Sequence, residues 1–438
     1  MNILWTSTRL AHASDDGARM YSYPLLRELN REHPVTYVTC DDGEHASDAA
    51  ARAAEYCTTL VRVPSRPHGT RPASILRDLR GHLTSPLPYT VWRCDSEAMQ
   101  RKIDEIVRDQ RIDILISDSL AACVNVPAAL PAPAILLRAN IEAISWYRRA
   151  VLASGAVRKR YLQRQWYRMY AFERNQCRRF DHVLAVSPED LAWITVEYGV
   201  PHATRTPMGV DTQLFKPLVG AYTQPDDIAL LGSEDATLNE DTVSYFATEI
   251  LPRIPDPARR LRVSIVCREP TARVQSLSRL DPRLQLSDSA HNVPSALARA
   301  SVIAMPRRIG GGTRTEVLES MAMERPVVTT TVGVEGLPVR DGEHLLTANT
   351  PEQFASSIAG LLANAEMARS LASRGAALVR SELSWANAAA AFAETCRQVL
   401  NSESLRRRSQ RTDYATLQRG LADSTHQDRR PLKPLKTP

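Results

Sequence analysis

The chain has 438 residues, 43% hydrophobic and 24% charged, with 55 Lys and Arg against 49 Asp and Glu for a formal net charge of +6. That length exceeds one compact domain and predicts two or three, and so small a charge names neither a nucleic acid nor a membrane as partner. No apolar run approaches the roughly 20 residues of a membrane span, and seven scattered cysteines without a CxxC pair point away from a disulfide framework or zinc site, toward a reducing cytoplasm.

In chain order, Asn2 to Ser7 (NILWTS) reads as the first strand. The opening MNILWTSTRLAH lacks the basic start and long apolar core of a secretory signal. A loop follows that carries His12 and one glycine, Gly17, then a helix with apolar Tyr23, Leu25, Leu26 and Leu29, then a strand from Val35 to Cys40. This βαβ rhythm predicts a parallel sheet with helices on both faces. No GxGxxG follows the first strand, so a nicotinamide or flavin fingerprint is missing where it belongs. Residues 46–89 are irregular, with one strand near LVRV. Ser96 to Gln110 fits an amphipathic helix. Ile112 to Ser119 (IDILISDS) is a buried strand ending in polar residues, where open α/β sheets bind ligands, and Pro133 to Glu142 holds another.

Trp146 to Phe180 is strongly basic, with Glu173 its only acid. Three readings stay open: a helix pair with a solvated basic face, a patch for an anionic membrane surface or lipid-diphosphate acceptor, and nucleic-acid contact, for which no recognised module is present. His182 to Ser187 is a further strand with a helix after it. The turn-rich run from Thr206 to Pro217 marks a domain boundary. A second α/β rhythm then begins at IALLGSED, and two such domains in tandem make a cleft.

The most informative stretch is Val302 to Gly336. A buried strand, Val302 to Met305, is broken by Pro306 and by Gly310, Gly311 and Gly312. Thr313 and Glu316 are spaced as a capping box, and Val317, Leu318, Met321 and Ala322 give a helical apolar face before the strand PVVTTT. A glycine loop running into a helix N-terminus suits an anion, phosphate above all.

Taken together, GVDTQLFKP, LLGSED, IVCREP, RIGGGTRTEVLESMAMERPVV, VGVEGL, DGEHLL and SELSW resemble, in order and spacing, the retaining GT-B enzymes of glycosyltransferase family 4. DDGARMYSYPLLREL, PYTVWRCDS and RANIEAISWYRR are similar to the subgroup that serves bacterial envelope and exopolysaccharide assembly. The resemblance implies an α/β fold of GT-B type, two Rossmann-like parallel-sheet domains facing a cleft. Residues 1–205 would be the acceptor-side domain and 206–385 the nucleotide-sugar domain. Residues 386–400 would pack back on the first domain, leaving 401–438 as a basic, disordered tail.

The same resemblance implies that Glu319 binds the nucleotide's ribose hydroxyls. Gly311, Gly312, Thr313 and Arg314 would approach the diphosphate and sugar, and Arg268 would neutralise the leaving diphosphate. Gly17 would lie in the loop that closes over donor and acceptor, with Asp15, Asp16 and Arg19 beside it, and His12 is a weak candidate base. No resident metal or cofactor is implied; the donor is a nucleoside-diphosphate sugar and the acceptor a sugar or lipid-linked hydroxyl, with no nucleic acid. The expected place is the cytoplasm, peripheral on the inner face of the membrane through residues 146–180. The chain departs from the family pattern at Gly311, where the first acid of E-x7-E falls, and at Ala139, where HNxE has its histidine. Met208, Cys267 and Glu324 are further departures, the last where a glycine is usual, and an acidic neighbourhood at Glu234 and Asp235 replaces a common Lys or Arg. Two alternatives to a transferase therefore stay open: a catalytically impaired partner in an envelope complex, and a sugar-nucleotide epimerase.

Overall fold

The computed structural model describes residues 1–11, 17–41, 51–64, 85–130, 132–138, 140–153, 155–206, 208–218, 226–232, 236–256, 260–267, 270–279, 281–287, 293–308 and 315–402. The first half runs β1 (Ile3–Ser7), α1 (Gly17–Leu29), β2 (Val35–Asp41), β3 (Thr59–Pro64), α2 (Glu97–Asp109), β4 (Ile114–Ser117), β5 (Ala134–Arg138), α3 (Glu142–Leu152), α4 (Ala156–Arg179), β6 (His182–Ala185) and β7 (Ala203–Arg205). Its strands form one parallel sheet in the order β3-β2-β1-β4-β5-β6-β7.

The apolar runs explain why these strands are central. Successive residues point to opposite faces of a sheet, and both faces here are covered. Ile3, Trp5, Ile114, Ile116, Ile135 and Leu137 enter one core, and Leu4, Leu115, Ala134 and Leu136 enter the other. The segment from Trp146 to Phe180 is indeed a helix pair, α3 and α4, broken near Gly155 (φ +86). α2 starts as its sequence suggests, with the Ser96 hydroxyl accepting from the amide of Met99.

The second half runs β8 (Asp227–Leu231), α5 (Ala236–Tyr245), β9 (Arg262–Val266), β10 (Leu284–Leu286), β11 (Val302–Met305), α6 (Thr315–Ala322), β12 (Val327–Thr329), β13 (Leu346–Thr347), α7 (Pro351–Ala363), α8 (Ala365–Glu382) and α9 (Trp385–Asn401). Its strands make a second parallel sheet, β10-β9-β8-β11-β12-β13, again with a core on each face. The alanine-rich run after Pro351 is two helices, because Asn364 ends α7 and its side chain accepts from Met367 N to cap α8.

α9 does not stay with the second sheet. Trp385, Ala388, Phe392, Cys396 and Val399 lie in the core of the first, where Tyr21 meets the Trp385 ring at 5.3 Å and Trp5 meets Phe392 at 5.9 Å. The chain crosses between the sheets twice, and the two crossings bond: Val210 N donates to Leu383 O (2.8 Å) and Trp385 N to Val210 O (3.2 Å). Gly209 permits this, since a Cβ there would lie 2.6 Å from the Trp385 Cα.

Glu324 occupies the left-handed region (φ 56), a conformation that costs a side-chain-bearing residue about 1–2 kcal/mol. Its carboxylate pairs with Arg380 at 3.2 Å, both exposed, which returns about 0–1 kcal/mol. Glu324→Gly is therefore expected to stabilise by up to about 1 kcal/mol, seen as a Tm higher by about 1–4 °C in a thermal melt. A lower Tm would show that the Arg380 pair outweighs the backbone strain.

Candidate active site

Each sheet has one place where the chain reverses its direction of travel. In the first, the chain steps from β1 out to β2 and β3, then returns to lay β4 on the other side of β1. In the second, it steps from β8 to β9 and β10, then lays β11 beside β8. The loops that leave the carboxyl ends of such a pair diverge and leave a crevice, which is where open α/β sheets bind ligands.

At the first crevice, Asp118 follows β4 and its carboxylate accepts from the Trp5 indole N–H (3.2 Å) on β1. Its own amide donates to Thr6 O (3.1 Å), and the Tyr37 hydroxyl donates to Arg9 O (2.7 Å) in the loop after β1. Gly17 opens α1, so that helix's N-terminus is directed here. His12, Asp15 and Asp16 lie outside the described residues.

Burial pushes the Asp118 carboxyl up to about 6, against hydrogen bonds from Trp5, Ser7, Ser119 and Ser22. A raised carboxyl holds its proton more tightly folded than unfolded. Its stabilisation is therefore complete below the ordinary value of 3.8 and is lost as pH rises through 6. Relative to Asp118→Asn, the natural protein is expected to gain up to about 3 kcal/mol as pH falls from about 7 to about 4, read from urea midpoints. His182, which burial and His202 push down to about 4, titrates in both proteins and cancels. A difference that does not change with pH would remove Asp118 as a titrating group.

At the second crevice, Gly232 follows β8, and a Cβ there would lie 2.4 Å from the Asn239 Oδ1 of α5. Two consecutive arginines follow β11 and splay apart. Arg307, almost buried, donates to Glu316 Oε1 (2.8 Å) in the first turn of α6. Arg308 bonds to Asp241 of α5 and lies 4.3 Å over the Tyr245 ring. The chain thus leaves β11 between two clamps, one on each helix that begins at the crevice. Hydroxyls fix the strand ends below it: Thr329 Oγ1 donates to Met305 O (2.9 Å), Thr330 Oγ1 donates to Arg307 O, and Gly333 N donates to Thr330 Oγ1 (3.0 Å). The spacing of Thr313 and Glu316 suggests a capping box. Thr313 lies outside the described residues, and Glu316 is engaged by Arg307.

Of the residues expected to bind donor, the structure describes Gly17 and Glu319; Arg268, Gly311, Gly312, Thr313 and Arg314 fall outside it. Glu319 is half-buried on α6. It stands four residues after Thr315 and three after Glu316, on the one face of α6 not turned to the core; Val317, Leu318, Met321 and Ala322 hold the other. The arginine pair Arg307 and Arg308 is not among the residues that sequence reasoning singles out; its sequence signal is two cations one residue short of the glycines.

The two carboxyl edges meet. Arg205, ending β7, donates to Gly336 O (3.3 Å) beyond β12, and a Cβ on Gly336 would lie 3.4 Å from Pro188, just after β6. Two parallel sheets with their switch points on the touching edges define the GT-B glycosyltransferase architecture. A family model described as Glycosyltransferase Family 4 matches residues 16–214, and one described as Glycosyl transferases group 1 matches 225–364. The chain belongs to the family 4 glycosyltransferases.

No curated protein matches it. Among solved structures, sucrose-phosphate synthase of Thermosynechococcus elongatus is similar at a TM-score of 0.63 and 18% identity, over 91% of this chain and 98% of that one. HepE of Anabaena, in complex with UDP and glucose, gives 0.59 and 14%, over 91% and 100%. TarM of S. aureus, in complex with Fondaparinux, alpha-GlcNAc-glycerol and UDP, gives 0.59 and 9%, over 92% and 100%. At such identities these likenesses speak for the fold.

Proposed function

We propose that the chain moves a sugar, with retention, from a nucleoside-diphosphate sugar to an acceptor hydroxyl in envelope polysaccharide or glycolipid synthesis. The observation that carries this reading is the second switch point, where Arg307 and Arg308 tie the chain leaving β11 to the helices on either side, one of which bears Glu319. The UDP held by HepE and by TarM supports a nucleotide donor. The diphosphate lies at the N-terminus of α6 with Gly311, Gly312, Thr313 and Arg314 about it. Arg268, backbone N–H groups and the helix dipole meet the charge that grows as it leaves. Glu319 accepts from the ribose hydroxyls. The acceptor enters from the first crevice, and closure of the two domains, with Gly17 at the closing loop, orients it on the anomeric carbon.

The protein acts at the inner face of an anionic membrane through residues 146–180. Among the described residues no helix is long and apolar enough to cross one.

The test is a thermal shift with UDP, GDP and ADP, followed by donor turnover against lipid-linked acceptors. A nucleotide present at a hundred times its Kd stabilises by about 2.7 kcal/mol. Stabilisation by one base and nucleotide release that depends on acceptor support the transferase. No stabilisation and no donor turnover would overturn it and leave an impaired partner, the reading that Ala139 and Gly311 motivate. Nucleotide release without acceptor, with an altered sugar, would indicate an epimerase.

A further inference from the structure

The surface of α4 carries more charge than its composition suggests. Glu173, the only acid between Trp146 and Phe180, is completely buried and bonded to Arg138, so it neutralises nothing outside. Toward the helix end, Arg178 donates to Tyr198 O (2.7 Å) and Arg179 to Val126 O (3.3 Å). Toward its start the cations are not spent. Arg158, Lys159, Arg160 and Arg164 are exposed, and among the described residues Arg160 and Arg164 enter no ion pair. Arg160, Arg164 and Arg168 are four residues apart and stack on one face, where like charges repel. With Pro86, Gln163 and Tyr167 they line an open concavity of about 450 Å³. Burial and the neighbouring Arg164 push the Arg168 guanidinium below its ordinary value.

Beside this row the helix pair exposes apolar and aromatic side chains. Val157 is 87% exposed, Tyr167 58% and Val151 55%. The Tyr167 ring lies tilted against Trp166 at 4.6 Å, and Trp166 meets Tyr147 at 5.0 Å. A free phosphate needs the arginines and has no use for the apolar rim. A lipid leaflet uses both, through its phosphates and through the boundary of its acyl chains.

We propose that Arg160, Arg164 and Arg168 bind the phosphates of anionic lipids at a bilayer surface, with Val157, Val151 and Tyr167 entering the headgroup boundary. This deepens the membrane reading given above and rests on it. The site reaches the first crevice through α4 itself. Glu173 lies nine residues beyond Arg164, about 14 Å along the helix, and accepts from the amides of Glu142 (3.2 Å) and Ala143 (2.9 Å), where α3 begins next to the carboxyl end of β5. A lipid-bound α4 thus holds the acceptor side of the protein at the membrane.

The test is co-sedimentation of the full chain with vesicles of phosphatidylcholine, alone or mixed with phosphatidylglycerol. Each arginine at an anionic surface is worth about five-fold in partition. Arg160→Glu with Arg164→Glu is therefore expected to lower partition onto the mixed vesicles by at least about 25-fold. Arg369→Glu with Arg374→Glu, the same charge change on α8, should leave most of it. Val157→Asp should weaken binding at unchanged salt. If the double Glu variant melts early, the Arg160→Gln, Arg164→Gln pair replaces it. Equal partition of the two double variants would overturn the site, as would full displacement from vesicles by inorganic phosphate, which marks a soluble-anion site. Tight duplex-DNA binding lost with the same arginines, without vesicle binding, would also overturn it. UDP stabilisation, read separately in each variant, reports on the transferase and not on this surface.

Discussion

Replacing Glu173 with glutamine is expected to cost the protein about 3–5 kcal/mol of stability. The residue is fully buried, and four donors converge on it: the Arg138 guanidinium, the amides of Glu142 (3.2 Å) and Ala143 (2.9 Å), and the Tyr198 hydroxyl (3.0 Å). Arg138 is 2% exposed, and its remaining partners are Asn140 O at 2.9 Å and the Glu142 carboxylate at 3.9 Å. Glutamine keeps the volume but leaves a buried guanidinium without its close counterion and presents an amide donor to donors.

Removing one member of a buried pair costs far more than removing both, because the survivor keeps its desolvation penalty and loses its compensation. Arg138→Met alone should therefore be nearly as damaging, and Arg138→Met with Glu173→Leu should be less damaging than the sum of the singles. Urea midpoints followed by tryptophan fluorescence read this. A loss below about 1 kcal/mol for Glu173→Gln would mean that the carboxylate is not a counterion in solution. The effect also reaches the crevice. Burial raises the Glu142 carboxyl above its ordinary value while Arg138 holds it down, so this cluster acts on the segment that follows the carboxyl end of β5.

Much of this organisation is legible in residue order, and the reasons are local. β1, β4, β8 and β11 are apolar runs bounded by polar or glycine residues, and a strand buried on both faces has no other composition available. The helix pair is legible because its apolar positions recur at helical spacing. β7 and β13 are not legible. They have three and two residues, and neither contains a buried one, so they carry no apolar signal and exist because a neighbouring strand offers its edge. The fates of Arg307 and Arg308 are hidden for another reason. Their partners Glu316, Asp241 and Tyr245 come from helices joined only through the switch point, and topology decides which arginine meets which helix. Glu316 has a partner that local spacing does not reveal, since a buried arginine nine residues upstream pairs with it.

α6 carries two carboxylates on its outward face, Glu316, which pairs with Arg307, and Glu319. The proposed transfer gives Glu319 the hydroxyl pair of a ribose, and a carboxylate can accept from both hydroxyls. A hydrogen bond to a charged group is worth about 1.5–3 kcal/mol when its partner would otherwise go unpaired. Glu319→Ala is therefore expected to raise the Kd for the preferred nucleoside diphosphate by about 10- to 150-fold in calorimetry. The apo protein should melt within a few degrees of the natural one, because Glu319 is only half-buried and the α6 core contacts of Val317, Leu318 and Met321 remain. Glu316→Gln should do the reverse: it frees a nearly buried Arg307 and lowers stability first, with affinity falling only as the loop loosens. Unchanged nucleotide affinity in Glu319→Ala would move the ribose off α6, and with it the donor orientation that the proposed transfer requires.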